Sequence, residues 1–228
     1  MNMFTKKALK KKKPLVLPFV EENMNMPLKE VLAIMQRQIK KRTMYFGIRA
    51  IKNPLDVWTY REIICEVRPD VIIEIGTCYG GGIMALAHML DNLQKGRVIG
   101  VDITHDEVPS IVKEHPRITL ITGDACASFN KVTALVKETD KVLIIEDSAH
   151  TYENTLNVLR KYQSLVTLGS YFIVEDSICH HGLDEGPSPG PYEAIEEFMR
   201  DNKDFQIDRT RESFFITWNP KGFLRRIK

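Results

Sequence analysis

The sequence predicts an α/β domain, an open and mainly parallel sheet with helices on both faces. Three observations predict it. Short apolar runs alternate with helical stretches from about residue 71 to residue 200. Those runs are apolar at consecutive positions, as strands covered on both faces are. The stretch V-I-I-E-I-G-T-C-Y-G-G-G, from Val71 to Gly82, reads as a buried strand, an acid and a glycine-rich turn into a helix.

The elements follow in order. Residues 1–26 open with a lysine run (Lys6, Lys7, Lys10 to Lys13) and have no apolar signal core. Such a run either touches membrane or nucleic acid or is a solvated tail; a disordered basic tail is the ordinary reading. Residues 27–68 are expected to form an N-terminal helical cap. Leu28, Val31, Leu32, Met35 and Ile39 make a helical stripe over Pro27–Lys41. Val57, Tyr60, Ile63, Ile64 and Val67 make another over Asp56–Val67, which Pro69 ends.

Residues 69–228 form the main domain. Strands are expected at Val71–Ile75, Arg97–Ile103, Arg117–Thr122, Lys141–Glu146 and Ser170–Val174. Helices are expected at Gly81–Leu93, Ser128–Lys137, Thr151–Leu165 and Pro191–Arg200, the last with proline where a first turn accepts it. Phe205–Arg209 and Ser213–Trp218 alternate like a terminal antiparallel hairpin.

Composition sets limits. The 228 residues are 43% hydrophobic, enough for one well-buried domain. A net charge of +2 gives no strong field for nucleic acid. No run approaches the roughly 20 apolar residues of a membrane span. Cys65, Cys78, Cys126 and Cys179 are scattered, which suits reduced thiols in a cytoplasmic protein. The expected partners are a small hydroxylated molecule and further copies of the chain, without nucleic acid or membrane.

The turn narrows the ligand. A dinucleotide fingerprint requires G-x-G-x-x-G, and Cys78 occupies its second glycine position. A carboxylate one residue before the first glycine, Glu74 before Gly76, suits the cationic cofactor S-adenosylmethionine. In open α/β sheets ligands sit at the carboxyl ends of the strands. Here five strand ends carry acids: Glu74, Asp102, Asp124, Asp147, and Glu175 with Asp176. Each is either a helix cap or a ligand contact. Asp102 can accept both ribose hydroxyls, Asp124 lies where adenine is held, and Glu74 can receive the methionine ammonium. Gly76, Thr77, Gly80, Gly81 and Ala125 complete the expected cofactor contacts.

A second group joins E-D-S-A-H (Glu146 to His150) with V-E-D-S (Val174 to Ser177). Asp147, Glu175 and Asp176 offer three hard oxygens from neighbouring strands, a set for Mg²⁺ or another divalent cation. The alternative is pairing with Arg or Lys from the loops. His150, three residues after Asp147, is either a general base or a capping residue. Cys179-His180-His181 opens the loop Ser177–Gly190, read as a substrate-side lid. His105 to Glu107 is an H-x-E that falls on the adenosine side.

These stretches resemble the family named for cephalosporin hydroxylase, which also holds rhamnosyl and macrolide-sugar O-methyltransferases. The resemblance runs from about Lys52 to the C-terminus. It rests on D-V-W at Asp56, R-P-D-V-I-I-E-I-G-T-C-Y-G-G-G, G-V-D-I, G-D-A, D-S-A-H-T-Y-E-N-T, and V-E-D-S followed by G-P-Y-E-A-I. It implies a Rossmann-like class I methyltransferase fold with a seven-stranded sheet, S-adenosylmethionine and a divalent metal. It matches Asp147, Glu175 and Asp176 to metal ligands, His150 to the base, and Glu74, Gly76 and Asp102 to the cofactor site. The expected activity is metal-dependent O-methylation of a sugar-containing or other specialised metabolite. The alternatives are a hydroxylase in antibiotic biosynthesis and a non-catalytic S-adenosylmethionine-binding protein.

Overall fold

The computed structural model describes residues 19–228. Most of the expected basic tail, including its lysine run, lies outside the described residues. The first long element is α1 (Leu28–Arg42), followed by a small hairpin, β1 (Met44–Tyr45) and β2 (Ile48–Arg49), which the sequence reading did not anticipate. Helix α2 (Pro54–Val67) starts with proline in its first turn, and Asn53 caps it by accepting the Leu55 N–H at 3.2 Å.

The sheet comes next: β3 (Val71–Ile75), α3 (Gly81–Leu93), β4 (Arg97–Asp102), the short α4 (Ser110–Lys113), β5 (Ile118–Thr122), α5 (Ala125–Thr133), β6 (Val142–Glu146), α6 (Tyr152–Tyr162), β7 (Tyr171–Val174), α7 (Pro191–Asp201), β8 (Phe205–Ile207) and β9 (Phe223–Arg226). The strand order is β5-β4-β3-β6-β7-β9-β8. The first five are parallel, and β9 runs antiparallel between β7 and β8. This is the seven-stranded, mainly parallel sheet that the resemblance implies.

Strand alternation splits the core in two. Val71, Ile73 and Ile75 pack with Leu156, Leu159 and Phe198 on the α5–α7 side. Ile72 packs with Tyr60, Ile63, Ile64 and Leu90 on the α2–α3 side. All five β3 residues are buried, and each fully buried aliphatic contributes about 1.5–3 kcal/mol. Glu74 is the one charged member of that strand, so its burial needs a compensating partner.

The C-terminal hairpin is present, but its second strand is corrected from Ser213–Trp218 to Phe223–Arg226. The alternation at 213–218 serves another purpose. Asp56, at the start of α2, accepts the Thr217 hydroxyl at 2.6 Å and the Trp218 N–H at 2.8 Å. Trp218 is buried with Leu32 and Ile39 of α1 and with Ile178 and Leu183. Phe223 and Leu224 are fully buried in the sheet instead. Helix α5 also begins three residues earlier than expected, because Asp124 accepts the Ala127 N–H at 2.8 Å. No helix among the described residues is long and apolar enough to cross a membrane.

Candidate active site

The ends of β3, β4 and β6 converge at Gly76. Its φ is +92°, and a β-carbon there would lie 2.0 Å from the Asp147 carbonyl oxygen. Only glycine allows the β3 and β6 ends to touch in this way. A cleft of about 400 Å³ opens beside this crossing, within the usual range of small-molecule sites.

Four carboxylates line the cleft, Asp102, Glu107, Asp124 and Asp147, and no lysine or arginine does. That wall suits a ligand carrying a sulfonium and an ammonium and opposes a polyphosphate. Gly76, Asp102, Asp124 and Ala125 lie on it. Asp102 has a second task. Its Oδ2 accepts the N–H groups of Thr77 (2.9 Å) and Cys78 (2.8 Å), so it fixes the glycine turn itself. Thr77 reaches the site through this bond. Gly80 (φ +87°) caps α3, and Gly81 lets the backbone of Arg49 and Ala50 lie against the start of that helix.

Glu74 is placed differently from the expectation. It does not line the cleft. It is buried on the opposite face of the sheet, with Oε1 3.3 Å from Lys52 Nζ. Its Oε2 has no hydrogen-bond partner. Burial pushes its carboxyl up to about 7, against the pull of Lys52.

The second group sits where β6 and β7 end. Donor atoms of Asp147, His150 and Asp176 all lie within 4.8 Å of one another. His150 Nε2 is 3.6 Å from Asp147 Oδ1 and 3.2 Å from Asp176 Oδ2. Burial works against a charged imidazole at His150, but Asp176, Asp147 and Glu146 outweigh it and raise its pKa. Burial raises Asp176 too, against the pull of His150. Glu146, fully buried, accepts hydrogen bonds from Ser148, Asn154 and Thr155 and so shapes the turn that carries His150. Two carboxylates converging at an open edge, with an imidazole beside them, offer the oxygen donors that suit a divalent cation.

Glu175, the third of the expected oxygen ligands, contacts Lys52. Its Oε1 is 2.6 Å from Lys52 Nζ, and it is absent from the converging group. Lys52 also lies 2.5 Å from Asp147 Oδ2. Pairing with a basic residue was the alternative reading of these acids, and here it operates alongside the cluster. Lys52 itself was missed. A lone lysine before a helix gives no signal in spacing or composition.

The remaining histidines have local partners. His180 Nε2 lies 3.0 Å from the Gly186 carbonyl oxygen, and His181 Nε2 lies 2.7 Å from Glu193 Oε1. His105 bonds Thr122 Oγ1 through Nδ1 at 2.8 Å. His88, Asp91 and His115 also cluster, with Arg117 Nε 2.5 Å from Asp91 supplying positive charge there.

Strand order, glycine turn and acid-lined cleft together define a class I methyltransferase. Solved structures agree. CmcI with Mg and SAM is 26% identical at a TM-score of 0.65, covering 82% of this chain and 77% of that one. An O-methyltransferase from Bacillus cereus with SAH shares the fold at 18% identity and a TM-score of 0.55, covering 81% and 84%. Among curated proteins, rhamnosyl O-methyltransferase of Mycobacterium tuberculosis (strain H37Rv) is 33% identical over 192 residues, covering 81% of this chain and 78% of that protein. The Mycobacterium leprae protein of the same name is 33% identical over 191 residues, covering 81% and 83%. The family model "Rhamnosyl O-methyltransferase/CmcI" matches residues 37–227. The chain belongs to the Rhamnosyl O-methyltransferase/CmcI family and is an S-adenosylmethionine-dependent O-methyltransferase.

Proposed function

We propose that the chain transfers the methyl group of S-adenosylmethionine to a hydroxyl of a sugar-containing or other specialised metabolite, and that the reaction requires Mg²⁺ or a similar divalent cation. The observation that carries this reading is the convergence of Asp147, His150 and Asp176 beside a cleft that Asp147 also lines. Asp147, Glu175 and Asp176 would hold the cation, Glu175 with one of its oxygens on Lys52. Bound there, the cation would lower the pKa of an acceptor hydroxyl that has a second oxygen beside it. His150 Nε2 then takes the hydroxyl proton. The cleft aligns the methyl donor with the acceptor oxygen, and the site contributes mainly this alignment.

The names of relatives support a sugar acceptor, and the CmcI complex with Mg supports the cation. The hydroxylase alternative is less well supported. Its H-x-E residues, His105 and Glu107, join no converging ligand group among the described residues. A non-catalytic binding role would leave the Asp147, His150 and Asp176 cluster without a purpose.

Methyl transfer from labelled S-adenosylmethionine to a panel of glycosides with vicinal hydroxyls tests the reading, with Mg²⁺ and after exhaustive chelation. Label should appear in the glycoside only with metal. Equal transfer after chelation would remove the metal from the proposal, and transfer only to non-sugar hydroxyls would remove the sugar.

A further inference from the structure

Lys52 is the buried cation on which the acidic side chains of three strands meet. Its side chain is 8% exposed, and its Nζ lies 2.5 Å from Asp147 Oδ2, 2.6 Å from Glu175 Oε1 and 3.3 Å from Glu74 Oε1. It enters from the segment between β2 and α2, 95 residues from Asp147 and 123 from Glu175. Each contact uses a single carboxylate oxygen. Asp147 is thereby divided: Oδ2 is held inward by Lys52, and Oδ1 faces His150 at 3.6 Å in the converging group.

Building on the metal reading above, we propose that Lys52 is a positioning residue for the cation site: by holding one oxygen of Asp147, it aims the other Asp147 oxygen at the metal. The physical reason lies in the freedom of the carboxylate. Without the ammonium, Asp147 can rotate, and it and the buried Glu74 and Glu175 lose their common counter-charge. Groups that orient a metal ligand from behind commonly change metal affinity by about 10- to 100-fold when removed. Lys52 does not line the cofactor cleft. It reaches that wall only through Asp147, so metal and cofactor affinity are measured separately.

The test titrates Mn²⁺, followed by electron paramagnetic resonance, into wild type and Lys52→Met, with S-adenosylmethionine affinity measured on the same samples. Lys52→Met should bind Mn²⁺ about 10- to 100-fold more weakly and bind S-adenosylmethionine as wild type does. Unchanged Mn²⁺ affinity would make Lys52 merely structural and overturn the proposal. Tighter binding would make it a competitor for the same oxygens and overturn it equally, as would loss of metal and cofactor together. If Lys52→Met does not fold, the double variant Lys52→Met/Glu74→Gln, which removes one buried unpaired charge, is read by the same criteria. A wild-type protein that binds no Mn²⁺ would bring down the metal reading and this proposal with it. Wild-type binding that the variant leaves unchanged brings down only the role of Lys52.

Discussion

His150 Nε2 and Asp176 Oδ2 lie 3.2 Å apart, and both residues hold a left-handed backbone, with φ of +55° and +56°. Neither is glycine. Such conformations cost about 1–3 kcal/mol each and persist where surrounding contacts over-determine them, often at functional sites. Glu146 anchors the first turn through Ser148, Asn154 and Thr155. Asn219 anchors the second by accepting the Asp176 N–H at 3.2 Å. The two turns bring both side chains together at neighbouring strand ends.

His150→Ala is expected to lower kcat by about 10²–10⁴-fold, the usual contribution of a positioned base. Cofactor affinity should hold, and Mn²⁺ affinity decides between base and ligand: a base leaves it unchanged. The neutral imidazole accepts the proton, so the wild-type rate should rise with pH, and that limb should vanish in the variant. Stability carries the opposite sign. The metal-free folded pKa is raised above the unfolded value of about 6.5. The stabilisation from protonated His150 is complete below that unfolded value and is lost as pH rises through the higher folded one. Melting temperature against pH, without metal, should show this component in wild type and lack it in the variant.

Asp147→Ala or Asp176→Ala should abolish metal-dependent turnover and leave S-adenosylmethionine binding largely intact. Isothermal titration with Mg²⁺ and with the cofactor separates the two effects. Activity that survives both substitutions would remove these residues from the metal site.

Asp102→Ala should weaken S-adenosylmethionine binding by about 10- to 100-fold, because hydrogen bonds to charged groups contribute roughly 1.5–3 kcal/mol. The structure adds a second consequence. The Thr77 and Cys78 N–H groups lose their acceptor, so the melting temperature should fall as well. Full affinity in a folded variant would displace Asp102 from the cofactor site.

Gly76→Ala places a β-carbon 2.0 Å from a backbone oxygen at φ +92°. Overpacking and left-handed strain together should cost about 2–5 kcal/mol, read as a fall in melting temperature of roughly 4–20 °C. Gly169→Ala is the control. Its φ is +78°, but nothing lies within 4 Å of the added carbon, so only the strain of about 1–2 kcal/mol applies. Equal losses in the two variants would mean that the β3–β6 crossing tolerates movement.

The sequence by itself determined the sheet and the edge where its acids gather. Val71–Ile75 and Val142–Glu146 are apolar runs whose period and length leave few alternatives to a buried strand, and Gly76 follows one strand directly while Asp102 ends another, so local pattern places them. His150 was legible for the same reason: it lies three residues from Asp147 on one turn. Tertiary structure alone decided what is set by contacts distant in sequence. It moved the last strand from 213–218 to Phe223–Arg226, because Asp56 claims Thr217 and Trp218 from 161 and 162 residues away. It gave Glu74, which strand alternation sets on the face of Ile72, and Glu175 a shared buried partner in Lys52. Periodicity records which face of a strand is buried. It does not record which charge waits on that face, because the choice of partner for a buried carboxylate is made by the packing of segments that the sequence keeps far apart.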